Sequence, residues 1–193
     1  MSEKERLPLE EASALAEQVK EILRPYCVRI EIAGSIRRGL RYCGDIEIVC
    51  VPKQIEGGLF SDPKPIAEAN AVNSHLANRL DSGELELRLN KNGQRSFGAL
   101  MMLLKYKGFA LDVFACSLEQ WGVTMVIRTG PADYSQAFVT QSVKHGSFLR
   151  EGQSVKGWRV WAGGVALDTP EEADVFRVCG QQWADPESRE WTK

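Results

Sequence analysis

The sequence predicts an α+β fold, in which a sheet domain with flanking helices is followed by a smaller α+β lobe. Three observations predict it. Apolar residues recur at helical spacing from Pro8 to Leu23. Five later segments have the alternation or the short apolar runs that are typical of strands. After Gln120 the chain changes character, because a Gly- and Trp-rich hairpin precedes one last helix.

Local signals set the bounds of the elements in the sheet domain. Pro25 ends the first helix. Residues 54–65 predict a loop, and residues 66–80 predict a helix that the Asp81-Ser82-Gly83 turn ends. The predicted strands are residues 27–33, 45–51, 85–89, 100–107 and 109–116.

The smaller lobe has its own signals. Residues 132–144 predict a helix and residues 147–167 a hairpin. Thr169-Pro170-Glu171-Glu172 predicts the start of a last helix, with Thr169 as the cap, and Gly180 ends that helix. We place the domain boundary so that residues 1–124 form the sheet domain and residues 125–193 the lobe.

Composition narrows the classes of function. The chain has 193 residues, 44% of them hydrophobic, which is enough for one core or for a main domain with a small companion. No apolar run reaches membrane-spanning length, so we expect no membrane partner. The five cysteines are dispersed and form no Cys-x-x-Cys pair, which disfavours a zinc site or a disulfide framework. An intracellular location, cytoplasmic or nucleoid-associated, and a monomeric state are expected.

The net charge of the chain and its local charge distribution point in different directions on nucleic-acid binding. The net charge of −2 argues against a strong non-specific nucleic-acid binder. The hairpin region is locally basic, however, and contains two tryptophans. Two interpretations stay open: a solvated hairpin whose tryptophans face the core, or a DNA-facing surface. The residues concerned are Lys144, Arg150, Lys156, Arg159, Trp158 and Trp161, with Glu151 as the opposing charge.

The richest motif is a Gly-Ser turn followed by a strand with two acids. Gly34 allows close approach of an anion, Ser35 offers a hydroxyl where a strand ends, and Arg38 matches phosphate oxygens. Asp45 and Glu47, two residues apart on the next strand, are expected to share one face. Two carboxylates this close repel each other unless a positive charge lies between them. Mg²⁺ is a suitable cation because it prefers oxygen ligands. The alternative is that Asp45 and Glu47 simply lie on the solvent-exposed face of an ordinary amphipathic strand.

A third acid adds to this pattern. Asp112 is the lone charge in the apolar strand Ala110-Leu111-Asp112-Val113-Phe114. If this strand lies beside residues 45–51, three carboxylates can meet and hold metal ions. The alternative for Asp112 is a solvent-side residue on an edge strand.

These residues together resemble the catalytic region of the family X DNA polymerases, the polymerase beta group of the nucleotidyltransferase superfamily. The resemblance runs from about Val28 to Trp191. The segments that carry it are Gly34-Ser35-x-Arg37-Arg38-Gly39, Gly44-Asp45-x-Glu47, Leu111-Asp112-Val113 and Thr129-Gly130.

The resemblance implies a palm-like mixed sheet and a lobe that closes on the base pair. It implies that Asp45, Glu47 and Asp112 bind two Mg²⁺ ions, with Mn²⁺ as an alternative, and that these acids are catalytic. It also implies that an incoming dNTP contacts one set of residues while the chain extends a DNA primer/template or gapped DNA. That nucleotide-binding set is Gly34, Ser35, Arg38, Gly44, Arg128, Thr129 and Gly130.

The chain departs from the family pattern at several positions. Glu47 replaces the usual second aspartate, and Ile127-Arg128 replaces the aromatic pair that precedes Thr-Gly, which leaves sugar discrimination open. Arg128 is expected to contact a phosphate or the template, or else to form a surface salt bridge. Ser135 stands where an asparagine often reaches the minor groove. No amino-terminal lyase module or hairpin-helix module is expected, so the chain alone is expected to bind DNA weakly.

The favoured function is therefore a minimal family X-like DNA polymerase that adds dNMP to a primer 3′-hydroxyl and releases pyrophosphate. Two alternatives are kept. One is a template-independent nucleotidyltransferase that acts on an RNA end, a protein or a small molecule. The other is a non-catalytic module that binds nucleic-acid ends.

Overall fold

The computed structural model describes residues 5–54, 70–90, 92–140 and 148–190. The chain forms two compact units. Of the described residues, those within 1–36 and 40–116 form the first unit, and those within 37–39 and 117–193 form the second.

The first unit is a mixed sheet with helices. Its central sheet has five strands in the order β2-β4-β7-β6-β5, and β4 and β7 run parallel while the other neighbours are antiparallel. The helices are α1 (Leu9–Leu23), α2 (Gly34–Arg37, whose last residue is grouped with the second unit) and α3 (Ala71–Asp81), and the strands are β1 (Leu7–Pro8), β2 (Cys27–Ile32), β3 (Tyr42–Cys43), β4 (Ile46–Pro52), β5 (Leu85–Leu87), β6 (Met101–Tyr106) and β7 (Phe109–Ala115).

One face of this sheet forms the core of the first unit. Alternate residues of β4, β6 and β7 are buried there against α1 and α3, as strand alternation requires. Ile46, Ile48, Leu111 and Val113 have no exposed surface. The intervening residues of β4 and β7 therefore lie on the opposite face, and this is the face that carries the acids.

Among the described residues, the second unit contains a three-stranded antiparallel sheet and three α-helices. Its core is rich in aromatic side chains, and the Phe148 ring makes edge contacts with the rings of Tyr134, Phe138 and Phe176. The elements are α4 (Trp121–Thr129), α5 (Ala132–Val139), β8 (Gln153–Lys156), β9 (Arg159–Ala162), β10 (Val165–Ala166) and α6 (Glu172–Cys179).

The predicted strands and helices of the first unit lie within a few residues of their observed bounds. The predicted loop at 54–65 and the start of the helix predicted at 66–80 lie largely outside the described residues. The helix predicted over 132–144 ends at Val139, and residues 141–147 lie outside the described part of the chain.

The sequence did not predict α4. Its residues from Trp121 to Val126 are all buried, so it lacks the polar face that marks an amphipathic helix. The predicted domain boundary between residues 124 and 125 lies within this helix, whereas the compact units divide after Cys116. Val123 and Val126 belong to the core of the second unit. The functional roles given to the two parts of the chain remain predictions.

The start of α6 differs from the predicted one. Glu171, not Thr169, is the N-cap, and its carboxylate forms a reciprocal capping box with Asp174. The helix therefore begins at Glu172, and Thr169 is fully buried before it. Gly180 ends the helix in the left-handed conformation, as predicted.

All five cysteines are free and buried. Within the described ranges, no helix combines the length and the apolar character needed to cross a bilayer.

Candidate active site

Two of the predicted acids lie side by side on the face of the sheet that is opposite the core of the first unit. The parallel pairing of β4 and β7 places Glu47 directly opposite Asp112. Their neighbours Ile46 and Leu111 form the previous pair in the same register and are buried in the core. Neighbouring strands lie about 4.8 Å apart, so the two carboxylates occupy one small region of the sheet face.

Asp45 lies at the end of the same strand but outside it. β4 begins at Ile46, one residue later than the sequence predicted, so strand alternation does not strictly place the Asp45 side chain. Asp45 and the preceding Gly44, at the bend after β3, are both partly buried. In the part of the chain that the structure describes, no three Asp, Glu, His or Cys side chains form a group that could hold a metal ion. The three-acid metal site therefore stays a prediction.

Asp112 forms an ion pair that the sequence did not predict. The Nη2 of Arg88 donates to Oδ1 of Asp112. Both side chains are largely buried, with 26% of the Arg88 side chain and 16% of the Asp112 side chain exposed. The alternation Leu85-Leu87-Leu89 contains a signal for this arrangement, because it places Arg88 on the face away from the leucines.

The Gly-Ser turn lies close to the Glu47 carboxylate. Gly34 has a φ of +64°, and a Cβ at this position would overlap Oε2 of Glu47 and lie 2.8 Å from its Cδ. Only glycine combines this backbone conformation with such close approach. Because Ala33 donates its N–H to the carbonyl of Glu47 at 2.8 Å, the turn follows directly from the pairing of β2 with β4.

Ser35 presents an unsatisfied hydroxyl at this turn. Its Oγ is buried and has no hydrogen-bond partner among the described residues. A buried hydroxyl without a partner is costly, so it marks a position where a ligand oxygen would be favourable. The carboxylates of Glu47 and Asp112 are oxygen donors of the kind that a hard cation prefers.

Arg37 and Arg38 bind within the second unit. Arg38 donates to the carbonyl of Thr129 at 2.6 Å, and Arg37 donates to the Thr129 hydroxyl at 2.8 Å. Thr129 has no exposed surface. The structure thus shows protein partners for Arg38 and Thr129, and their predicted contacts with a nucleotide remain expectations.

A buried ion network in the second unit was also missed by sequence reasoning. Glu172 accepts from both Arg37 and Arg189. The sequence predicted only a capping role for Glu172, and no local pattern could have paired it with arginines so distant along the chain.

Arg128, Gly130 and Ser135 lie around the end of α4. The guanidinium of Arg128 lies 5.0 Å from the centroid of the Trp158 ring, a cation–π contact. A Cβ on Gly130 would lie 2.7 Å from the Tyr134 ring, so the helix end is closely packed. The Ser135 hydroxyl donates to the carbonyl of Ile127 at 2.6 Å, so it bonds to the protein backbone.

The tryptophans of the basic hairpin do not belong to the described core of the second unit. Val160 supplies the buried contact from β9, and Trp161, its neighbour along the strand, points to the other face. Trp161 donates its indole N–H to the carbonyl of Lys156 at 3.0 Å. The DNA-facing surface remains a hypothesis, and Lys144 lies outside the described residues.

Comparison with known proteins shows which protein family this chain resembles. A family model described as DNA polymerase beta palm matches residues 6–112. DNA polymerase lambda of Rattus norvegicus is 26% identical over an alignment of 204 residues, which covers 97% of this chain and 33% of that protein. The chain thus spans about a third of the length of that curated relative.

Solved structures show the same fold. A polymerase beta from Leishmania infantum, in a crystal structure named as a ternary P/T complex, has a TM-score of 0.70 and 19% identity, and the match covers 96% of this chain and 77% of that one. A second structure of that polymerase, named as a ternary gap complex, has a TM-score of 0.70 and 18% identity, with coverage of 96% and 71%. At this identity the match shows a common α+β architecture.

Proposed function

The chain belongs to the DNA polymerase beta palm family, and from that membership we propose that it is a metal-dependent nucleotidyltransferase that acts as a DNA polymerase. It would add dNMP to the 3′-hydroxyl of a DNA primer and release pyrophosphate. The observation that carries this proposal is the register of the two parallel strands, which sets Glu47 directly opposite Asp112 on the face of the sheet away from the core.

The residues of the first unit have distinct proposed roles. Asp45, Glu47 and Asp112 would hold two Mg²⁺ ions, or Mn²⁺ in their place, through carboxylate oxygens. Bound ions of this kind would acidify the primer hydroxyl and stabilise the leaving pyrophosphate. Asp112 would accept the proton of the attacking hydroxyl at a carboxylate oxygen.

The turn would bind the triphosphate. The buried Ser35 hydroxyl would donate to a phosphate oxygen, which satisfies a donor that has no partner among the described residues. Gly34 would keep the backbone close enough for this contact, and the Gly44 N–H would add a second donor. In the second unit, Arg38 would bind a phosphate oxygen, and Arg128, Thr129 and Gly130 would contact the nucleotide.

DNA is the proposed polymer substrate. The related polymerase structures are named as primer/template and gap complexes, and those two substrate forms are the natural ones to test. The resemblance implies an aromatic pair where this chain has Ile127-Arg128, and this departure is the specific reason to test ribonucleotides and untemplated ends as well.

A primer-extension assay tests the function. Gapped, primer/template and single-stranded DNA would each be incubated with single deoxy- or ribonucleotides and Mg²⁺ or Mn²⁺. We expect extension by the complementary deoxynucleotide alone, lost in Asp112→Asn and in Asp45→Asn. Glu86→Gln, which changes an exposed acid on β5 of the same unit, is the matched control and should retain activity.

Each other outcome points to a different function. Extension with any nucleotide on single-stranded ends would favour a template-independent transferase. Binding of DNA ends without extension under every condition would favour a non-catalytic end-binding module. Full extension by Asp112→Asn would contradict the proposed metal site.

A further inference from the structure

Arg88 and the two acids lie in one row across the face of the sheet that is opposite the core of the first unit. The N–H of Arg88 bonds to the carbonyl of Leu103 at 2.9 Å, which extends the pairing of β5 with β6. Leu103 lies opposite Asp112, and Asp112 lies opposite Glu47. Cross-strand neighbours share a face, so the Arg88 side chain passes the position of Leu103 to reach Asp112.

This row places a cation of the chain beside two adjacent carboxylates. Like charges on directly opposed residues of a sheet destabilise it, and a nearby cation offsets that repulsion. Asp112 keeps only 16% of its side-chain surface exposed, so water screens the repulsion less than it would at an open surface. Arg88 supplies a positive charge to this row through its ion pair with Asp112.

Arg88 is not fully satisfied by this contact. Its Nη2 binds Asp112, but its Nε is buried and has no hydrogen-bond partner among the described residues. An arginine fixed for stability alone would normally use more of its donors, because an unpaired buried donor is costly. The incomplete pairing lowers the cost of moving the guanidinium away.

We propose that Arg88 is a built-in counter-cation that holds Asp112 when no metal is bound and that competes with a divalent ion for this carboxylate. The proposal rests on the proposed function, since it concerns the same acids. In this proposal Arg88 is a positioning residue, because it acts by holding the Asp112 carboxylate. Arg88 would keep the acidic face folded without metal and would weaken the binding of free divalent ions.

The test measures Mn²⁺ binding to the full chain without nucleotide or DNA, by electron paramagnetic resonance of the free ion. Removing a competing cation should raise affinity, so we expect Arg88→Gln to bind Mn²⁺ about tenfold more tightly than the wild type. Arg88→Lys, which keeps the charge but has a single compact ammonium group, should fall between the two. Without metal, Arg88→Gln should also melt at a lower temperature, and added Mn²⁺ should narrow that difference.

Arg79→Gln is the matched control. Arg79 pairs with Glu84 in the same unit and has 25% of its side chain exposed, close to the value for Arg88, but it is not part of the acidic row. Its Mn²⁺ affinity should equal that of the wild type. In an Asp112→Asn background, Arg88→Gln should change the affinity little, because the contested carboxylate is absent.

The results distinguish this proposal from the function on which it rests. Equal or weaker Mn²⁺ binding by Arg88→Gln, with clear binding by the wild type, would overturn the role of Arg88 and leave the metal site intact. Absence of Mn²⁺ binding from the wild type and every variant would overturn both. If Arg88→Gln does not fold, the Mn²⁺ affinity of Arg88→Lys tests the proposal instead. An affinity of Arg88→Lys for Mn²⁺ that is no tighter than that of the wild type would refute the proposal.

Discussion

Arg189, whose side chain has no exposed surface, donates from Nη1 to Oε1 of Glu172 at 2.7 Å. The Glu172 side chain is only 8% exposed, and its other oxygen accepts from Arg37. The Arg189 guanidinium also lies 5.4 Å from the ring centroids of Phe176 and Trp183. This carboxylate therefore ties the chain that follows α6 to the start of that helix.

Breaking this buried pair should destabilise the protein strongly. Arg189→Met keeps the length of the side chain but leaves Glu172 without one of its two cations. We expect a loss of about 3 kcal/mol in the free energy of unfolding, measured by urea denaturation. The control is Arg177→Met, which removes an exposed pair with Asp174 and should cost no more than about 0.5 kcal/mol. Equal losses for both variants would contradict the assignment.

Gly34→Ala and Gly83→Ala together should show whether the position of the Glu47 carboxylate matters for activity. Both substitutions strain the backbone, but only the one at Gly34 disturbs Glu47. Gly83 is the control, because its φ of +77° is similar and an added Cβ would meet nothing within 4 Å. Both variants should lose about 1 kcal/mol of stability from the left-handed conformation. Only Gly34→Ala displaces the Glu47 carboxylate, so primer extension should fall by about 100-fold in that variant alone. Full activity in Gly34→Ala would show that the position of Glu47 is unimportant.

Ser35→Ala should affect stability and nucleotide binding in opposite directions. It removes a buried hydroxyl that has no partner among the described residues, so the free energy of unfolding should stay constant or rise by about 1 kcal/mol. If the hydroxyl binds a phosphate, KM for dNTP should rise by roughly tenfold. Ser117→Ala offers the contrast, because it removes a capping box and should lower stability by about 1 kcal/mol with KM unchanged. An unchanged KM in Ser35→Ala would remove Ser35 from the nucleotide site.

His75 should titrate below its ordinary pKa. Burial lowers the pKa of His75, and the neighbouring charge of Arg79 lowers it further, while Glu84 opposes this. The neutral ring accepts a hydrogen bond from Nε of Arg79 at 2.8 Å and stacks on Tyr26. NMR titration, with the signal assigned by comparison with His75→Gln, should give a midpoint below 6.5.

The sign of the linked stability follows from this direction. With a lowered pKa in the folded state, the unfolded chain binds the proton more readily. The contribution of His75 to stability is therefore complete above pH 6.5 and is lost as the pH falls toward the folded-state pKa. His75→Gln should lack this part of the pH dependence. A midpoint above 6.5 would contradict the description of its surroundings.

Local patterns were enough to predict most of the first unit. The strands at β2, β4, β6 and β7 were predictable because each combines a short apolar run with a turn signal, and strand alternation is a local property. The same patterns failed for α4, since a helix buried on all sides has no polar face to reveal its period. They also misplaced the start of α6, where two capping signals were within a few residues of each other.

The sequence by itself determined which residues are the candidates for the chemistry of the site: the Gly34-Ser35 turn, Glu47 after Asp45, and the lone acid Asp112 in an apolar strand. Only the tertiary structure decided that Glu47 and Asp112 are direct neighbours, that Arg88 pairs with Asp112, and that Glu172 is buried between two arginines. The reason is physical. Alternation and capping depend on adjacent residues, whereas strand register and ion pairing depend on segments that are far apart along the chain and meet only when the core is packed.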